Sequence, residues 1–275
     1  MFQNRPVDGK IVGMAHNATQ RAAELLAQAW MKPGKVERFP DELRPKSRED
    51  AYAIQDAMAS IIGQASTGWK LGATSPAMRR KAGHDGPIIG RIFEEVTFFS
   101  PARLPIARFP HARVECEFAF RLLTDIPARP NGYTAEELSH AVTLHLAVEI
   151  IGNRYPDDRD FPRLSTIDEI ADNGTGIGFV FGAEIHDWRN LDLRQLVIDM
   201  QVDARPLAEN FLGEDRCQPI ESLAQAVEIL GSRGIDLNKG NYVSTGAATD
   251  PQPVTKGSTV WATFGDLGTV AIAFD

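Results

Sequence analysis

The chain has 275 residues, with 29 Lys plus Arg against 37 Asp plus Glu, a formal charge of −8. Hydrophobic residues at 43% and charged residues at 24% are ordinary globular values, which excludes disorder as the main theme. An acidic chain without a basic run is a poor match for nucleic acid. Its two cysteines, Cys116 and Cys217, are too few for a disulfide framework or a structural zinc site. No apolar run approaches the ~18–20 residues that cross a bilayer, and the opening MFQNRPVDGK lacks the apolar core of a signal peptide. The expectation is a cytoplasmic protein with a small or acidic partner, touching neither nucleic acid nor membrane.

Ala18 to Met31 reads as a helix stopped by Pro33-Gly34. A second helix starts near Ser47, where Ser47 and Asp50 have capping-box spacing and Ile54, Met58 and Ile61 share one face. From Trp69 onward Gly, Pro and short β-like runs dominate. Val114–Leu122, Leu196–Val202, Val243–Thr245, Thr259–Phe264 and Thr269–Phe274 are candidate strands, and Gly265–Gly268 is a tight connection. One helix begins at Thr134 with Glu137 completing a capping box. Another runs from Ile220 to Leu230 with Gly231 as its stop. The pattern predicts an α+β fold, a helical part over residues 1–66 and a β-rich catalytic domain over 67–275.

Glu115 and Glu117 lie in Arg113-Val-Glu-Cys-Glu-Phe-Ala-Phe120, so they share one strand face while Val114, Cys116 and Phe118 share the other. On spacing alone the pair reads as the solvent face of an edge strand; the alternative is convergence on one cation. Glu149 is the single charge in Leu146–Ile151. Burial there demands a partner: Arg154 or Arg113, a proton, or a metal. Three carboxylates without His or Cys suit a hard divalent ion, Mg²⁺ or Mn²⁺.

Lys70, bracketed by Gly68 and Gly72, reads as a substrate anchor or an acid–base group, against the common fate of a snorkelling lysine. His84 beside Asp85 is a candidate acid–base pair, or a solvated loop. Ser244-Thr245-Gly246 can present a hydroxyl and an N–H to an anion, and Asp172–Gly176 is a polar turn. Gly86–Gly90 has neither the phosphate-loop nor the dinucleotide spacing. Cys116 reads as core.

The order Gly-Trp-Lys-Leu-Gly-Ala-Thr-Ser (68–75), Arg-Val-Glu-Cys-Glu-Phe-Ala-Phe (113–120), Ala-Val-Glu-Ile-Ile-Gly-Asn-Arg (147–154) and Ile-Ala-Asp-Asn (170–173) resembles the fumarylacetoacetate hydrolase superfamily. Within it, the branch of 2-keto-4-pentenoate hydratases and 4-oxalocrotonate decarboxylases matches best. The resemblance implies a mixed β-roll with a small helical N-terminal part and a bound Mg²⁺ or Mn²⁺. By position, Glu115, Glu117 and Glu149 match the metal ligands, Lys70 the active-site lysine, and Thr245 and Gly246 the substrate-contacting turn, with Gly72 and Ile88 also beside the substrate. It implies a homo-oligomeric lyase of aromatic or related catabolism, acting on a small 2-keto or 2-hydroxy acid. Hydratases of the branch often carry an acid where this chain has Ile88, so Asp85 or His84 would have to replace it. Hydration is the first expectation and decarboxylation the alternative. C–C hydrolysis, which needs a His/Glu pair, and a non-catalytic binding protein follow.

Overall fold

The computed structural model describes residues 8–157 and 163–275. Its helices are α1 (Asp8–Met31), α2 (Arg48–Ile62), α3 (Pro76–Ala82), α4 (Ala135–Ser139), α5 (Thr166–Ala171) and α6 (Pro219–Ser232). The strands are β1 (Ser66–Gly72), β2 (Ile88–Phe93), β3 (Thr97–Phe99), β4 (Ala102–Leu104), β5 (Arg113–Leu122) and β6 (Val142–Ile151). They continue with β7 (Gly176–Ile185), β8 (Ile198–Val202), β9 (Tyr242–Ala247), β10 (Gln252–Pro253), β11 (Thr259–Phe264) and β12 (Thr269–Phe274).

Capping explains several boundaries. Ser47 accepts the Asp50 amide and Gly63, at φ +67°, closes α2. Thr134 and Glu137 form the reciprocal capping box that starts α4. Helix α1 begins well before Ala18, and Gly231 lies inside α6 rather than stopping it; the turn beyond is made at Gly234, φ +69°. Leu196 and Val197 precede β8, where Leu196 offers its carbonyl to buried Arg216 instead of pairing.

Among the described residues the strands form two sheets. The larger runs β2-β1-β9-β5-β6-β7-β3, with β10 beside β5; the smaller runs β4-β12-β11-β8. Pairing is mixed: β1–β9, β3–β7 and β4–β12 are parallel and the rest antiparallel. This is the α+β, mixed-sheet architecture expected of a β-roll. No described helix is long and apolar enough to cross a membrane.

Strand β5 is central, between β9 and β6, not an edge. Both its faces are covered, and its neighbour β6 accordingly reads as a largely apolar run. Val114, Cys116, Phe118 and Phe120, with Leu144, Leu146, Val148 and Ile150 of β6, join the main core, which extends through the smaller sheet to α1 and α2. Phe118 meets Phe264 edge to face across the sheets. The other face carries Glu115, Glu117, Ala119, Ala147 and Glu149, beside a small apolar cluster of Phe179, Phe181, Tyr242 and Ile92.

Asn173 anchors the outer edge of this sheet. Its side chain donates to the Arg91 carbonyl at 2.9 Å and accepts the Arg91 amide at 2.7 Å, imitating a strand partner. The Asn173 backbone lies so close to Gly90 that a Cβ there would strike its carbonyl. Gly90→Ala is expected to destabilise the fold by ~1–3 kcal/mol through this overpacking. A thermal melt beside wild type checks it.

Candidate metal centre and active site

The β5–β6 register sets Glu115 directly opposite Glu149, and Glu117 opposite Ala147. Glu115, Glu117 and Glu149 each turn a carboxylate oxygen into one space, all within 4.8 Å of one another. Glu117 is held from the other side. Strand β9 carries one extra residue against β5, since Glu117 faces Ala247 while Ala119 faces Ser244. That bulge aims the Ser244 hydroxyl and the Gly246 N–H, the latter at 3.1 Å, onto Oε2 of Glu117. Gly246 adopts φ +102°, and a Cβ there would collide with the Thr74 hydroxyl, so glycine is required.

Oε1 of Glu117 and both oxygens of Glu149 are buried without a hydrogen-bond partner. Burial, followed by the charges of its neighbours, pushes Glu115 up to about 8; the same causes hold Glu117 well above the carboxylate range. Orphaned, mutually facing hard oxygens are the donor set of a divalent cation that prefers oxygen, so the residues fit Mg²⁺ or Mn²⁺.

Lys70 is 4% exposed, so it does not snorkel. Its ammonium lies 3.4 Å from Oε1 of Glu149. Burial alone would lower its pKa, but Glu149 first, then Glu117 and Glu115, outweigh burial and raise it. Glycines make its channel. A Cβ at Gly176 would sit 3.1 Å from Lys70 Cε and 2.7 Å from Oε1 of Glu149. A Cβ at Gly174 would sit 2.9 Å from Lys70 Cε, and one at Gly72 3.6 Å from Nζ. Ile88 packs into the same wall, 3% exposed, with Cγ2 3.3 Å from the position of a Gly174 Cβ.

The arginines do not pair with Glu149. Arg154 binds Asp172, and Arg113 donates to the Pro251 carbonyl. Asp85 departs from expectation: its side chain is 66% exposed and pairs with Arg48 at 2.8 Å, away from the carboxylates. The Thr245 hydroxyl also departs. It donates to the Phe118 carbonyl at 2.8 Å inside the core, because strand parity gives the site to its neighbour Ser244. His84 turns inward. Its Nδ1 hydrogen-bonds the Thr166 hydroxyl at 3.1 Å and its Nε2 lies 3.9 Å from Oε2 of Glu169.

Glu169 was not a sequence candidate. It rides on α5, and Lys70 is the foremost charge acting on it. Burial, which outweighs Lys70, pushes its carboxyl up to about 7. The 85-residue gap between positions 84 and 169 hides their proximity; the Ser165–Asp168 cap that starts α5 was the available signal.

A buried carboxylate triad thus lies beside a buried lysine on a curled mixed sheet, in a fold like that of the fumarylacetoacetate hydrolase superfamily. No protein-family model matches the sequence. Individual relatives do. The chain is 27% identical over 227 residues to a 2-keto-4-pentenoate hydratase of Burkholderia vietnamiensis, covering 82% of this chain and 85% of that protein. It is 29% identical over 213 residues to a 4-oxalocrotonate decarboxylase of Pseudomonas sp, covering 77% and 79%. The structure of 4-oxalocrotonate decarboxylase from Pseudomonas putida G7, complexed with magnesium and adipate, superposes with a TM-score of 0.83 at 21% identity, over 99% of this chain and all of that one. The chain is thus similar in sequence to proteins named as hydratases and decarboxylases, and similar in fold to one of the decarboxylases.

With Glu115 and Glu117 raised, the folded metal-free protein holds protons that the unfolded chain releases. Their contribution to stability is present in acid and is lost as pH rises from the ordinary carboxylate range through about 8. A Glu115→Gln variant is expected to lose less stability than wild type across that range when chelator is present. Mg²⁺ should stabilise wild type more at the alkaline end, because the ligands must shed protons to bind it. Thermal melts at several pH values, with chelator and with Mg²⁺, check both.

Proposed function

We propose that this chain is a divalent-metal-dependent lyase that adds water to a 2-hydroxy-alkadienoate, the tautomer of a 2-keto-4-enoate. The reading rests on one observation above all: three buried carboxylates, two of them with oxygens left without a hydrogen-bond partner, converge beside a buried lysine. The relatives named as hydratases support the hydro-lyase assignment. Glu115, Glu117 and Glu149 would hold Mg²⁺ or Mn²⁺, which would supply Lewis-acid stabilisation of charge on the substrate's C2 oxygen. The same reading includes a homo-oligomeric cytoplasmic enzyme whose partner is a small keto acid.

The chain's own groups then divide the work. Gly246 N–H and Ser244 fix the rotamer of Glu117, so the cluster is organised before substrate arrives. Lys70 presents an ammonium in a dry channel, suited to the substrate carboxylate or to proton transfer. Gly72 leaves the backbone beside the ammonium open, and Ile88 gives an apolar wall that cannot ionise. That wall supports the second reading, 2-keto acid decarboxylation, since it desolvates a departing carboxylate without needing a base.

Incubation with 2-hydroxy-dienoates, with and without a terminal carboxylate, and NMR of the products should show 4-hydroxy-2-keto acids. Carbon dioxide release from the dicarboxylate alone would select the second reading. Activity should vanish with chelator and return with Mg²⁺ or Mn²⁺; full turnover in rigorously metal-free protein would sink both readings. Lys70→Ala is expected to keep the fold and lower kcat by ~100-fold or more, measured by the same assay with circular dichroism as the folding control. Ile88→Asp should raise hydration relative to decarboxylation, and an unchanged product ratio would remove Ile88 as the discriminator.

A further inference from the structure

We propose that Glu169 is the acid–base catalyst of this site and that His84 positions it. The inference rests on the hydratase reading, which requires a proton acceptor near the substrate's distal carbon. Ile88 cannot be that group, and Asp85 faces solvent in a pair with Arg48. The wall formed by β1 and β2 therefore offers no base beyond Lys70.

Helix α5 supplies one. It is clamped on several sides. Asp168 pairs with Arg44, its Oδ1 3.0 Å from the arginine Nε, and Asp172, which caps the helix, pairs with Arg154. Buried Gln55 donates to the Ile170 carbonyl at 2.7 Å. The acids on either side of Glu169 are thus committed to arginines. Glu169 is not: among the described residues its basic neighbour within 4 Å is His84, at 3.9 Å, an imidazole that burial pushes toward its neutral form. Its side chain is 24% exposed, sheltered yet reachable. The helix runs directly into the Asp172–Gly176 turn, where a Cβ at Gly174 would sit 2.9 Å from Lys70 Cε, so α5 ends against the lysine channel.

A carboxyl held near neutrality can take and return a proton within one turnover. In the hydration step the ionised Glu169 removes a proton from water as the water oxygen bonds to the far carbon of the conjugated double bond. The π electrons shift toward the ketone and leave an enolate. The protonated Glu169 then delivers that proton to C3, the enolate returns to the ketone, and one water has been added. His84, with Nδ1 hydrogen-bonded to the Thr166 hydroxyl, stands with Nε2 3.9 Å from the carboxyl and limits the directions that carboxyl can take by lying beside it.

The test uses the Mg²⁺-loaded full chain as wild type, Glu169→Gln, Glu169→Asp and His84→Asn. Hydration is followed by NMR. Hydrogen–deuterium exchange at C3 of 2-oxobutanoate, which uses the same proton transfer without hydration, is measured beside it. Mn²⁺ binding by electron paramagnetic resonance reports the carboxylate cluster. Glu169→Gln should lose ~100-fold or more in both hydration and exchange, with Mn²⁺ affinity within about twofold of wild type. Glu169→Asp should recover part of the exchange. His84→Asn should lower kcat by about tenfold and leave KM unchanged. Exchange in Glu169→Gln at the wild-type rate overturns the proposal, as does wild type that does not exchange. Wild type that exchanges but hydrates nothing overturns the hydratase reading instead, and the Glu169 variants still decide the proton-transfer role.

Discussion

Glu115 faces Glu149 across the β5–β6 ladder, and Glu117 follows on the same face. Like charges directly opposite are destabilising in a sheet. At an effective dielectric of ~20, two such charges about 5 Å apart repel by roughly 3 kcal/mol. Nothing in the strand relieves this, because both faces of β5 are covered. The remainder of the site answers that repulsion. Lys70 brings one positive charge, Ser244 and Gly246 satisfy one oxygen of Glu117, and burial shifts two carboxyls toward their protonated forms. Were all three ionised, as binding a divalent ion would require, three carboxylates against one ammonium would leave two negative charges, the complement of that ion.

Bringing Lys70 to the cluster has a backbone cost. Its stem passes where Gly72, Gly174 and Gly176 have no side chains. The turn that carries two of these glycines has Asn173, Gly174 and Thr175 all at positive φ, 54°, 63° and 60°. A β-branched Thr in that region is disfavoured and persists only where the surroundings over-determine it. Here they do: Asn173 is tied to the Arg91 backbone, Asp172 to Arg154, and the Thr175 carbonyl accepts the Gly152 amide at 2.9 Å. The strain lies beside the lysine, so the turn serves the site rather than the fold alone.

Much of this was legible in the sequence because it is local. Strand alternation put Glu115 and Glu117 on one face, the apolar run marked Glu149 as buried, and the glycines around Lys70 marked close approach. The capping residues Ser47 and Thr134 gave true helix starts. The non-local facts were not legible. Whether β5 is an edge depends on partners far away in sequence, so the solvent-face reading of the two glutamates fails in the fold. The bulge in β9 shifts which of Ser244 and Thr245 faces the site, and no spacing rule announces a bulge. Asp85 and His84 are adjacent in sequence yet diverge, one to Arg48 and the other to Thr166 and Glu169, because α2 and α5 flank their loop from different sides.

The two reactions of this branch make the same demand at C2, where charge must be held, and part company at the distal end. Hydration needs a proton acceptor there, whereas decarboxylation is helped by an apolar wall. On the proposed reading this chain has a candidate for each: Ile88 on β2 and Glu169 on α5. Which of them the distal carbon meets is set by the distance between that strand and that helix. One buried side chain spans them, since Gln55 Nε2 donates to the Ile89 carbonyl at 2.8 Å and to the Ile170 carbonyl at 2.7 Å. Each acceptor is the residue next to the wall or to the carboxyl in question. On that reading the outcome of the chemistry would be tied to the helical N-terminal part through α2, which contributes no atom to the carboxylate cluster but whose Gln55 joins the two surfaces between which the substrate's far end would choose.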